Sequence, residues 1–489
     1  MVPEDVCVAP RVHCVDGWNM AMDRLKDADS HQPTSRSSSG RSTTMDSTSE
    51  ATTSQTVPAS KMDVHLNLNV RGLHQSSTIA INERSDRLRQ EGRRIYKLGL
   101  GQSPFPVPRP VVEELRANAH QKAYLPTRGL PALRDAVAAY HNRTQDLAIT
   151  GDQVLIGPGS KELMFMLQLV YYGDLVIPTP AWVSYAPQAH IIGRKISWIH
   201  TTPANGWRLM PEELEQLCEK DPTRPRVVIL NYPSNPTGGT YQFQELQELA
   251  RVARKYKLVL LSDEIYGELH HKGQHASIAR FYPEGTIVSA GLSKWCGAGG
   301  WRLGTFAFPA GLDWLHDAMA VVASETFTTT SAPIQYAAVR AFQGGMRIER
   351  YLWFSRRILE AISGWITARM QSTGILVERP RGAFYAFPDF EPFRDSLAGR
   401  GISTSEQICE QLLQDTGVAI LPGTEFGRPP EELTARLAFV DFDGARALAA
   451  AEVLPRDRPL DKAFLQTYCS NILTAIDLIC EWLEQKPRR

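Results

Sequence analysis

The strongest constraint on this chain is a series of short apolar runs, each followed by a stretch with helical periodicity. Residues 153–157 (QVLIG), 174–178 (DLVIP), 226–231 (RVVILN), 257–262 (KLVLLS) and 286–290 (TIVSA) carry Val, Ile and Leu on both faces. Strands without polar alternation are covered by helices on both sides, as in the parallel sheet of an α/β fold. Periodicity predicts helices at 111–119, 131–142, 160–171, 243–256 and 332–343. A longer helix, expected over 347–371, suits a connector between domains. Beyond it, 374–389 and 434–440 read as strands, 403–416 and 464–485 as helices, and 441–463 as an irregular surface insertion. The expected architecture is a three-layer αβα large domain at 106–345 with a mostly parallel mixed sheet. A smaller α+β domain would combine 61–105 with 346–489.

The chain's 489 residues exceed what one small core can organise. Its 53 basic and 53 acidic residues balance, so no nucleic-acid or polybasic membrane partner is expected. Seven scattered cysteines show no metal-ligand spacing and suit free thiols in a reducing compartment. No metal site is expected, and no apolar run reaches bilayer length. Residues 1–60 include a Ser/Thr-rich stretch (TSRSSSGRSTTMDSTSEATTSQT) expected to be disordered. The acids Glu4, Asp5, Asp16, Asp23, Asp27 and Asp29 argue against a mitochondrial leader, leaving the cytoplasm as the expected location.

In open α/β sheets, chemistry gathers in loops after the carboxyl ends of strands. Four such loops stand out. After 226–231 comes Asn231-Tyr-Pro-Ser-Asn235-Pro-Thr-Gly238, a turn that presents the Asn235 amide. By itself it reads equally as a structural turn. After 257–262 comes Ser262-Asp263-Glu264-Ile265-Tyr266. An acid at the end of an apolar strand needs a positive partner, unless it merely caps a helix. After 286–290, Lys294 precedes a Gly-rich stretch and Arg302, as suits a reactive amine near an anion anchor. An isolated loop lysine is usually just solvated. Finally, Gly157-Pro-Gly159-Ser160-Lys161 opens a helix whose amides can bind an anion.

Taken together, the NPTG, SDExY and SK…GWRLG elements resemble, in order and spacing, the fold-type-I pyridoxal-phosphate (PLP) aminotransferases of class I/II, the aspartate aminotransferase superfamily. The resemblance covers roughly 65–440. It implies PLP bound through a Schiff base to Lys294, which also shuttles the substrate proton. It implies that Asp263 pairs with the pyridinium nitrogen, and that Tyr266 and Asn235 bond the phenolate oxygen. Trp182 would stack on the ring, while Gly159, Ser160, Lys161 and Arg302 hold the phosphate. Tyr124 matches a tyrosine reaching the phosphate from a neighbouring subunit, which implies a homodimer with shared sites. Arg436 matches the arginine that grips the substrate α-carboxylate, and Gly101 a backbone donor beside it. Gly291 departs from members that place a phosphate-binding Ser there.

The implied activity is ping-pong transfer of an amino group from an L-amino acid to a 2-oxo acid. Lys161 falls where one subgroup contacts the distal carboxylate of aspartate or glutamate, the first substrate expectation. Phe105, Tyr185 and Phe384 could instead floor a pocket for an aromatic amino acid. The rival reading is a fold-type-I lyase of the C–S or aminocyclopropane-carboxylate-forming kind. A PLP-binding transcriptional regulator would need a basic winged-helix module, for which residues 1–60 are too short.

Overall fold

The computed structural model describes residues 65–485. The expected disordered segment 1–60, with Cys7 and Cys14, lies outside them. Seven strands form the main sheet: β1 (Val154–Gly157), β2 (Asp174–Thr179), β3 (Ile196–His200), β4 (Arg226–Asn231), β5 (Val259–Asp263), β6 (Thr286–Gly291) and β7 (Gly304–Ala307). Their order across the sheet is β1-β7-β6-β5-β4-β2-β3. Only β7 runs antiparallel to its neighbours. β5 and β6 are buried along their whole length, the environment their apolar runs require. The helix Phe243–Lys255 shows how the flanking layers form. The Gln242 amide donates to the Glu245 carboxylate at 2.6 Å, closing its first turn. Leu246, Leu249, Ala250 and Ala253, spaced three and four apart, are its buried face.

The predicted connector is a 28-residue helix, Met346–Thr373, ended by Gly374 in the left-handed conformation. Its apolar face joins a core that continues into the C-terminal helix Ser470–Glu484. Two small sheets complete the chain. Tyr96–Lys97 pairs in parallel with Val418–Ala419, and Leu421–Pro422, Ala435–Ala438 and Tyr385–Ala386 form an antiparallel trio. Five cysteines, Cys218, Cys296, Cys409, Cys469 and Cys480, are buried free thiols. Among the described residues no single helix is long and apolar enough to cross a membrane.

Three expectations need correction. The strand expected over 374–389 shrinks to Tyr385–Ala386 plus isolated bridges of Leu376 with Asp389, Asp389 with Thr434 and Gly382 with His270. Pro380, Gly382 and Pro388 interrupt the ladder. The helix expected over 464–485 is two, Lys462–Tyr468 and Ser470–Glu484, bent by 104° at Cys469. The segment 441–463 is not irregular throughout: Gly444–Val453 is a helix. The Asp443 side chain caps it, accepting from the Arg446 amide at 3.0 Å, and Gly444, Ala447, Leu448 and Ala451 are buried.

Candidate active site

Parallel strands bring their carboxyl ends to one edge of the sheet. Register places Asn231, Asp263 and Ser289 side by side there. Because β7 is antiparallel, its beginning lies at this same edge, with Gly304 paired to Gly157 and to Gly291. A Cβ on Gly304 would collide with the Ser160 backbone, and one on Gly291 would meet the Leu303 carbonyl oxygen at 2.8 Å. This close approach explains glycine at 291, where a Ser would displace the neighbouring strand. It also brings Arg302, just before β7, against Gly159.

A cavity of about 540 Å³ opens at this edge. Most of the residues singled out from sequence line it: Gly101, Ser160, Lys161, Trp182, Asn235, Asp263, Tyr266, Lys294 and Arg302. Lys294 Nζ donates to the Gly101 carbonyl at 2.7 Å, so Gly101 is an acceptor toward the amine here. Burial lowers the Lys294 pKa to about 8, and the positive charges of Arg436, Lys161 and Arg302 push the same way against Asp263.

Asp263 is 3% exposed. It accepts from the Tyr185 hydroxyl at 2.6 Å and, at longer range, from the Ile265 amide and Ser289 hydroxyl. Burial raises its pKa to about 6, although Tyr185, the Ile265 amide and Lys294 all lower it. This carboxylate has no ion pair among the described residues, so a cation entering the cavity would be drawn to it. The hydroxyls of Tyr266 and Tyr385 are 2.8 Å apart, and burial holds the Tyr266 phenol well above its usual range.

Arg436, 1% exposed, is not among the lining residues but sits behind one of them, Asn235. One guanidinium nitrogen donates to the Asn235 side-chain oxygen at 3.2 Å and another to the Gly99 carbonyl, while Nε has no partner. Its guanidinium rests on the rings of Tyr385 and Phe426. No carboxylate pairs with it among the described residues, and a buried guanidinium in that state calls for an anionic ligand. A second anion site is built where Gly159 begins the helix Ser160–Val170 without a side-chain cap. Arg302 stands over it and, among the described residues, its side chain bonds only the Gly299 carbonyl, at 2.9 Å. Lys161 Nζ sits 5.1 Å from the Trp182 ring centre, its pKa lowered by burial and then by Arg302.

Two groups of residues fall elsewhere. Tyr124 is 86% exposed and does not line this chain's cavity. Phe105, Tyr185 and Phe384 are not among the lining residues, although Tyr185 and Phe384 back onto Asp263 and Tyr266, which are. Phe105 packs on Tyr351 and Phe442, Phe384 on Tyr266, and the Tyr185 hydroxyl is committed to Asp263. Sequence reasoning also missed Asn231, whose side chain donates to the Asp263 carbonyl and accepts from the Asn235 amide. Its position at the end of β4, opposite Asp263, was the available signal. Tyr385, between Tyr266 and Arg436, offered none.

The sequence model of the aminotransferase class I and II family matches residues 93–449. The chain belongs to that family. Aspartate aminotransferase of Geobacillus stearothermophilus is 33% identical over 370 residues, covering 74% of this chain and 91% of its own length. The aspartate/prephenate aminotransferase of Thermus thermophilus is 30% identical, with 74% and 91% covered. Among solved structures, the aspartate aminotransferase of Thermus thermophilus with maleate superposes with a TM-score of 0.73 at 26% identity. That superposition covers 86% of this chain and all of the other. This chain is therefore an aminotransferase of the expected fold, and the lyase alternative is not favoured.

Proposed function

We propose that this aminotransferase works on PLP anchored at Lys294, moving the amino group of aspartate or glutamate to a 2-oxo acid. The observation that carries the reading is a desolvated amine in a cavity served by two anion sites without acid partners among the described residues, one in its wall and one just behind Asn235. One is the Gly159–Ser160 helix start with Arg302; the other is the buried guanidinium of Arg436. PLP would supply an electron sink conjugated to the substrate Cα. The helix start and Arg302 would hold its phosphate, and Asp263, without an ion pair among the described residues, would hold its ring nitrogen.

The protein's own groups then divide the work. Asp263 holds a proton on the ring nitrogen, and Tyr185 holds Asp263. Arg436 takes the α-carboxylate in a two-pronged grip, with Asn235 fixing its orientation. Lys294, its pKa already lowered to about 8, moves the proton at the substrate Cα. Tyr266 and the Asn235 amide nitrogen serve the ring oxygen, and Trp182 covers the ring. Gly101 bounds the cavity where the α-carboxylate enters. Tyr124, exposed in the single chain, would complete a partner's phosphate site, so each cavity requires a homodimer. The same reading divides the chain into a cofactor-binding domain at 106–345 and a smaller one from 61–105 with 346–489. The names of the aspartate aminotransferase relatives support the choice of donor, as does Lys161 beside the cavity without an acid partner.

A panel of amino donors tests this. Adding aspartate to the PLP-loaded enzyme should bleach the visible cofactor band, and adding 2-oxoglutarate should restore it. Failure of aspartate to bleach the band, with cysteine instead eliminated to pyruvate, ammonia and hydrogen sulfide, would sink the reading. Lys161→Ala should lose activity selectively on aspartate and glutamate; equal loss on every donor would reassign Lys161 to the phosphate.

A further inference from the structure

Away from the Lys294 cavity, and sharing no lining residue with it, a cleft of about 690 Å³ lies between the long helix Met346–Thr373 and the segment after Val453. This segment falls beyond residue 449, where the family match ends. Seven basic side chains line the cleft against two carboxylates. Four of the seven are engaged: Lys272 and Arg379 with Glu360, Arg356 with Glu268, and Arg458 with Asp461. Arg357, Arg456 and Lys462 have no ion pair among the described residues, although Asp457 lies near Arg357.

Arg357 is also incompletely bonded. Its Nη2 donates to the backbone carbonyls of Pro455 (3.0 Å) and Arg458, pinning the segment to the helix, but its Nη1 is buried without a partner. Arg357 and Arg456 both stack on Trp353, at 5.3 and 5.5 Å from the ring centre. Trp353 is itself 37% exposed, and Trp365, Leu460 and Leu465 add apolar wall. Like charges concentrated in a cleft, one with an unsatisfied donor, raise the local concentration of anions. A planar base can take the place of Arg456 on this part-exposed indole, freeing that guanidinium for phosphate. The volume falls in the range of small-molecule sites.

We propose that this cleft binds a nucleoside di- or triphosphate, with the phosphates on Arg357, Arg456 and Lys462 and the base against Trp353. A polycarboxylate would leave the indole uncovered, and the chain's zero formal charge does not favour a nucleic-acid strand.

Calorimetric titration of ATP into the PLP-loaded enzyme tests the proposal. One site per chain is expected, weakened by added salt and occupied more weakly by inorganic pyrophosphate. Arg456→Glu with Lys462→Glu, both exposed and bonded to no backbone group, should weaken ATP binding by at least about tenfold while leaving basal transamination unchanged. Trp353→Ala should weaken ATP but not pyrophosphate. Absence of binding, or ATP affinity unchanged by the charge reversals, overturns the site. Equal affinity for ATP and pyrophosphate in the wild type overturns its nucleoside component.

Discussion

Asp263 and Glu264 are neighbours in the chain, both buried carboxylates at the end of β5, yet they face opposite surroundings. Glu264 accepts from the Ser262 hydroxyl and His275 at 2.8 Å each, and from the Ser277 hydroxyl. Burial alone would raise its pKa, but His275 and the two serines outweigh burial and hold it below the ordinary value. Asp263 has one short bond, to Tyr185, and burial prevails, to about 6. Satisfaction by partners already present marks a group that supports the fold. A charge left costly marks a place prepared for something that arrives later.

The two acids therefore act on stability with opposite signs. A depressed carboxylate stabilises the fold above its unfolded pKa, and that contribution is lost as pH falls through the lower folded value. A raised one costs stability once pH exceeds the unfolded value, and the full cost is present above about 6.

The largest expected effect is from Asp263→Asn. Turnover of the PLP-loaded enzyme should fall roughly 10^3-fold. The cofactor-free protein, in contrast, should gain on the order of 1–3 kcal/mol above pH 6 and almost nothing at pH 4. Urea unfolding at the two pH values checks it, and an equal loss of stability at both would break the comparison. Next comes Glu264→Gln, which should cost about 1–3 kcal/mol of stability at neutral pH with turnover nearly intact in whatever folds. A fall in turnover matching that of Asp263→Asn would show that the two carboxylates are not separate in function. The smallest effect belongs to Tyr185→Phe. Without its hydroxyl, the pH at which Asp263 ionises in the cofactor-free protein should rise by about one unit. An unmoved midpoint in stability against pH would deny Tyr185 its hold on Asp263.

Much of this was legible in sequence where the signal is local. The apolar runs at 226–231 and 286–290 became β4 and β6 because strands covered on both faces carry their identity in composition. The edge strand β3, ISWIH, is only partly buried and reads as mixed. β7 starts only at the last residue of GWRLG and is four residues long, too short for its apolar pattern to stand out. The helix Gly444–Val453 carried a visible cap at Asp443 and a run of alanines, the best helix formers, but the adjoining Pro455-Arg-Asp-Arg-Pro459 stretch made the whole segment read as irregular.

In the site, residues at strand ends could be found because motif and topology agree there. The pairing of Tyr185 with Asp263 could not, since it joins positions 78 residues apart. The exposed cleft beside Trp353 likewise depends on the long helix meeting a segment about a hundred residues later.

The antiparallel direction of β7 has one more consequence. Lys294 and Arg302 belong to a single β6–β7 hairpin whose base is locked by the Gly291–Gly304 pairing. The distance from the anchoring amine to the anion clamp is thus set within eight residues of chain, independent of how the Arg436 side of the cavity is placed. A substitution that unseats the Gly291–Gly304 pairing would therefore displace the amine and the anion clamp together.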